Sequence, residues 1–135
     1  MKIVVVDGQG GKLGRQLVER ISAEIKDAEI IAIGTNSTAT QAMLKGGADA
    51  AATGENALVV ACRKADIIVG PIGIVISDAL MGEISPSMAS AVGSSNAARV
   101  LIPVNKCDSY IMGIENVTVS EMIESAVKKI KELSE

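Results

Sequence analysis

The sequence predicts a three-layer α/β fold, a parallel sheet of about five strands with helices on both faces. Three observations carry this. Apolar runs of strand length alternate along the chain with stretches of helical period. The clearest runs are continuous Ile and Val, the pattern of strands buried on both faces. Each run ends in glycine or small polar residues, as loops at the carboxyl edge of such a sheet do. The 135 residues suffice for one domain spanning 1–135.

Lys2–Val6 is the first strand, apolar after its opening lysine. From Lys12 the period changes. Leu13, Leu17, Val18, Ile21 and Ile25 share one helical face, and Arg15, Gln16, Glu19, Arg20 and Glu24 share the other. Glu29–Ile33 is the second strand, and a short helix over Thr38–Lys45 stops at Gly46-Gly47. Ala48–Thr53 is an alanine-rich third strand. A helix through Ala57–Lys64 then leads to the strand Asp66–Val69. The segment Ile74–Glu83 fits helix and strand equally.

Ser85-Pro86 places a capping serine before a proline at the first helical position, and that helix fades at Gly93-Ser94-Ser95. Arg99–Val104 is the last strand. Pro103 lacks an N–H, so this strand ends early or lies near an edge. Thr118-Val119-Ser120-Glu121 has capping-box spacing and opens a final helix. Its apolar face is Met122, Ile123, Ala126, Val127, Ile130 and Leu133.

Composition narrows the function classes. The net charge is −3, no basic stripe appears, and the chain has one Tyr with no Phe or Trp. Both the electrostatic footprint and the stacking platforms of a nucleic-acid binder are missing, so nucleic acid is excluded as a partner. Two cysteines are too few for a disulfide framework and fit a reducing cytoplasm. The opening MKIVVVDGQGG does not read as a signal peptide. Ile67–Ile76, the most apolar stretch, is broken by Gly and Pro and is too short to span a bilayer. The expectation is a cytoplasmic protein that does not engage membranes. A mean hydropathy of +0.36 is high for a small domain. It points to a homodimer or larger homo-oligomer that buries part of Ile72–Leu80 or of the Ser85–Ser94 helix.

The stretch VVDGQGGKLGRQLV places Gly8, Gly10, Gly11 and Gly14 where the first strand turns into a helix. In such a turn, glycines let a pyrophosphate approach the backbone, and the helix N-terminus offers free N–H groups and partial positive charge. The spacing misses the strict G-x-G-x-x-G form because Leu13 stands at its third glycine. It fits G-x-x-G-x-x-G through Gly8, Gly11 and Gly14. No Lys-Ser or Lys-Thr follows a glycine, so a Walker-type loop is excluded. The competing explanation is a turn that only packs helix close to strand.

Two resemblances emerge here. GQGGKLGRQLV is similar to the nucleotide-binding turn of dihydrodipicolinate reductases, Gly-x-Gly-Gly-basic-Met-Gly-Arg, over the first strand and helix alone. The whole chain, including GTNSTATQAMLKGGADAAATGENA, ADIIVGPIGIVISDALMGEI and VLIPVNKC, resembles a short bacterial family known as a domain of unknown function. That resemblance implies a Rossmann-like fold with no assigned activity.

The candidate binding residues are Gly8, Gln9, Gly10, Gly11, Lys12, Leu13 and Gly14 in the first turn. Gly34, Thr35 and Asn36 follow the second strand, and Gly70, Pro71 and Gly73 follow the fourth. All would lie along one carboxyl edge, with Gly70–Gly73 as the wall facing the first turn. NAD-binding units carry an acid at the end of the second strand, and here that place is Gly34-Thr35-Asn36. This leaves NADP, weakly held NAD, a mononucleotide or no cofactor.

Candidates for chemistry are few. The chain has no histidine, which removes the commonest general base and metal ligand. No Cys-x-x-Cys spacing supports a zinc site, so no metal is expected. Lys106 beside Cys107 forms the most reactive-looking pair, since a lysine can lower a thiol's pKa; the alternative is a polar loop with a half-buried cysteine. Asp78 would be a candidate acid if it lined the cleft, or else a helix cap. The foremost reading is a nucleotide-binding or ligand-sensing domain. The alternatives are a small NAD(P)-dependent reductase completed at a subunit interface, or a structural homo-oligomer without a ligand.

Overall fold

A computed structural model of the chain describes residues 1–104 and 108–135. Strands β1 (Lys2–Asp7), β2 (Glu29–Gly34), β3 (Ala50–Thr53), β4 (Ile67–Pro71) and β5 (Ala98–Ile102) form one sheet. Their order is β3-β2-β1-β4-β5, and every pairing is parallel. The helices are α1 (Lys12–Glu24), α2 (Ser37–Lys45), α3 (Glu55–Lys64), α4 (Pro86–Gly93) and α5 (Val119–Leu133). This is the expected three-layer, Rossmann-like arrangement.

The pleat of β1 explains the two cores. Ile3 and Val5 face α1, α2 and α5, packing with Leu17, Ile21, Met43, Val127 and Ile130. Val4 and Val6 face α3 and α4, packing with Leu58, Cys62, Met88 and Val92. Helices therefore leave β1 toward one side and β4 toward the other, and the strand order reverses between them. Such a switch point opens a crevice outside the carboxyl ends of the two strands.

Sequence and structure agree at the caps. Ser85 and Thr118 each accept a backbone N–H from the third residue of the helix that follows. β5 stops at Ile102, directly before Pro103, and lies at the sheet edge beside β4. The ambiguous segment is neither helix nor strand. A short 3-10 turn, Ile72–Val75, leads into tight turns in which Asp78, Leu80, Met81 and Gly82 all have positive φ. Burial holds this path in place: Ile74, Ala79, Leu80 and Ile84 sink into the core under α4.

That burial narrows what these two stretches offer a second copy, leaving Ile72, Val75, Ile76 and Ala91 partly exposed. Ile74, Ala79 and Leu80, like Met88, Ala89 and Val92 of α4, are used inside the subunit's own core. The most exposed large apolar side chains are others: Met81 is 95% exposed, Tyr110 81% and Met112 75%. Among the described residues no helix is long and apolar enough to cross a membrane.

Candidate functional site

The site begins at the end of β1. Asp7 is buried, and its carboxylate accepts the N–H of Gly8 at 2.8 Å and of Gly14 at 2.7 Å. It thereby closes the turn and satisfies one of the N–H groups that a helix N-terminus leaves free. Burial is the largest influence on this carboxyl and raises its pKa. The two N–H bonds pull it down, and the charge of Glu83 adds to the rise.

The fold gives three of the four glycines a reason of their own. Gly11 caps α1 with φ 74°, and a Cβ there would lie 2.7 Å from the Ala39 Cα of α2. A Cβ on Gly14 would lie 2.6 Å from Met43 Sδ and 2.7 Å from Asp7 Cβ, so this glycine lets α1 pack close to β1. On Gly8 it would meet Thr35 Oγ1 at 2.5 Å and Glu83 Oε1 at 2.8 Å. Gly10 differs from all three. Its φ is not positive, nothing lies within 4 Å of a built Cβ, and it is exposed. Gly10 therefore has no part in packing helix against strand, which Gly14 alone of the four does.

Gly10 opens onto a cleft of about 620 Å³ between the glycine turn and the start of α5. The turn contributes Gly8–Gly11 to its lining, α1 contributes Lys12, Leu13 and Gln16, and the far wall is Val104, Val119, Ser120 and Ile123. The N–H groups of Lys12 and Leu13 meet no acceptor among the described residues, and Lys12 forms no ion pair among them. The N-terminal ends of α1 and α5, each partly positive, thus converge on one space.

The other expected site residues lie elsewhere. Gly34 is buried against Thr40, and Gly70 against the carbonyl of Val6. Pro71 and Gly73 are buried too. None of them lines the cleft, whose facing wall is α5 rather than Gly70–Gly73. Asp78 is exposed in its turn, neither lining the cleft nor capping a helix. Glu55 begins α3 and accepts the hydroxyl of Ser85 at 2.8 Å. Lys106 and Cys107 lie outside the described residues. Cys62 is core, and burial pushes its thiol up to about 11.

Thr35 and Asn36 meet a residue that sequence reasoning missed. Glu83 Oε1 accepts the Gln9 N–H at 2.9 Å, the Thr35 hydroxyl at 2.5 Å and the Asn36 amide at 2.9 Å. Burial alone would raise the pKa of this carboxyl, and the three donors outweigh it and leave the value lowered. Glu83 is 74 positions from Gln9, and no local spacing links them.

Residues 2–135 match a family described as a domain of unknown function, DUF3842. The chain belongs to this family. No curated protein matches it. Among solved structures, it is similar to a dodecameric FMN-dependent UbiX-like decarboxylase from Escherichia coli O157:H7. That similarity covers 98% of this chain and 92% of the other, at 14% identity and a TM-score of 0.47. Among the described residues no cluster of His, Cys, Asp and Glu is placed to hold a metal ion.

Proposed function

We propose that this DUF3842 protein binds a small phosphate-bearing ligand, of the nucleotide class, in the cleft between the glycine turn and α5. The observation that carries this reading is Gly10. Backbone geometry or packing accounts for glycine at Gly8, Gly11 and Gly14, whereas the fold places no such demand on Gly10. A ligand lying against the backbone is what a side chain there would obstruct. Lys12 and the free N–H groups at the start of α1 supply the positive end for a phosphate. The cleft volume falls in the range of small-ligand sites. NAD and NADP belong to this class beside the mononucleotides.

Calorimetry with inorganic pyrophosphate, NAD, NADP, ATP and GTP tests the reading. Wild type should release or absorb heat with pyrophosphate and with at least one nucleotide. Gly10→Asp, which adds bulk and like charge in open space, should abolish that signal while the melting temperature stays near wild type. Silent wild type with every probe, or Gly10→Asp binding like wild type, would overturn it. The variant Gly11→Asp is unsuitable, because positive φ and Ala39 would strain the fold itself.

Self-association belongs to the same proposal, with Met81 and the Tyr110–Met112 loop added to the partly exposed residues of Ile72–Leu80 and Ser85–Ser94 as its surface.

A further inference from the structure

The end of β2 lacks the acid that nucleotide-binding units of this architecture place there, yet a carboxylate stands at that point. It arrives from the turn before α4. Glu83 Oε1 is fixed by the Gln9 N–H, the Thr35 hydroxyl and the Asn36 amide. Two of those donors belong to the residues directly after β2, and the third to a residue that lines the cleft. The carboxylate therefore stands behind the glycine turn on its β2 side, one hydrogen bond from Gln9. Neither it nor Thr35 or Asn36 lines the cleft itself, so a ligand meets it by extending from the cleft past Gln9. Its second oxygen, Oε2, takes no hydrogen bond from the described residues. Gly8 makes room for this seat, since a Cβ there would lie 2.8 Å from Glu83 Oε1.

Charge at this point is one-sided. Glu83 and the neighbouring Asp7 are both acidic and repel each other. The Thr35 and Asn36 donors, which would otherwise suit an anion, are already taken. A second phosphate placed here would find a carboxylate where it needs donors. A pair of vicinal hydroxyls would find a free acceptor.

We propose that Glu83 selects the sugar of the ligand: Oε2 accepts the hydroxyls of an unmodified ribose, and the carboxylate rejects a 2′-phosphate. The proposal rests on the nucleotide reading of the cleft and narrows it to ribonucleotides with a free 2′-hydroxyl. Glu83 is thus a specificity-determining residue, delivered by a different loop from the usual one.

Calorimetry on the full chain tests this with inorganic pyrophosphate, NAD, NADP, the four common ribonucleoside monophosphates and their 2′-deoxy counterparts. Wild type should favour a ribonucleotide over its 2′-deoxy form, and NAD over NADP, by about tenfold each, the scale of one hydrogen bond to a charged group. Glu83→Gln keeps an acceptor for Thr35, Asn36 and Gln9 while removing the charge. It should bring NAD and NADP to within about threefold, while pyrophosphate still binds and changes less than NADP does, any change being a gain because a negative charge beside the glycine turn is removed. Pyrophosphate binding without any ribose or 2′-phosphate discrimination in wild type would overturn the Glu83 assignment alone. So would discrimination that survives in Glu83→Gln, or binding of pyrophosphate with no nucleotide at all. Wild type silent toward pyrophosphate and every nucleotide would overturn the nucleotide reading and this proposal together.

Discussion

Asp7 and Gly14 are joined by a 2.7 Å hydrogen bond in which the buried carboxylate ending β1 accepts the N–H of the first turn of α1. The bond and the missing side chain act together. A Cβ on Gly14 would press on Asp7 Cβ at 2.7 Å, and that atom, next to the strand backbone, cannot yield as the tip of Met43 can. Gly14→Ala should therefore lower stability by about 1–3 kcal/mol, the usual cost of overpacking. Gly10→Ala, which enters open space, should stay within about 0.5 kcal/mol of wild type. Urea unfolding of both variants checks the contrast, and equal midpoints would refute it.

The sheet was legible because its signal is local. Val4–Val6 and Ile67–Val69 read as buried strands without knowledge of any partner, and Ser85 and Thr118 announce their helices three residues ahead. Half of the site was legible for the same reason, since Gly8 to Gly14 is one continuous turn. The other half depends on contacts distant in sequence. Nothing local marks Glu83, whose partners are 47, 48 and 74 positions away. Gly70, Pro71 and Gly73 carry the composition of a binding loop, yet the tight packing of β4 against β1 uses up Gly70. Composition alone does not separate a glycine that admits a ligand from one that admits a neighbouring strand.

Lys12 gives the cleft a separate electrostatic test. It is exposed at the start of α1, lines the cleft and has no acidic partner among the described residues. Lys12→Ala should weaken pyrophosphate binding about three- to tenfold at low salt, and raising the salt should shrink the difference. A loss independent of ionic strength would point instead to altered structure.

The exposed apolar side chains predict where copies meet. Tyr110 and Met112 stand 81% and 75% exposed in the connection between β5 and α5. Light scattering at micromolar concentration should report a dimer or larger. The double variant Tyr110→Lys, Met112→Lys should shift it toward monomer without a fall in helix content. A wild-type monomer would remove the oligomer from the proposal.

Asp7 and Glu83 should pull stability in opposite directions with pH. The folded pKa of Glu83 lies below its ordinary 4.5, because donors from Thr35, Gln9 and Asn36 outweigh the burial that would raise it. The folded protein thus releases this proton more readily than the unfolded chain does. Its contribution is present above pH 4.5 and disappears as pH falls through the lowered value. For Asp7 the shift is upward from 3.8, chiefly through burial, so the folded protein holds the proton more tightly. Its contribution is fullest below 3.8 and falls away as pH rises through the raised value. Thermal melts of wild type, Glu83→Gln and Asp7→Asn across the acidic range separate the two. The advantage of wild type over Glu83→Gln should grow from strong acid to above pH 4.5 and then level off. Relative to Asp7→Asn, wild type should instead lose ground as pH rises from 3.8. Two difference curves that slope the same way with pH would contradict the arrangement, because the Asp7 shift is upward and the Glu83 shift downward.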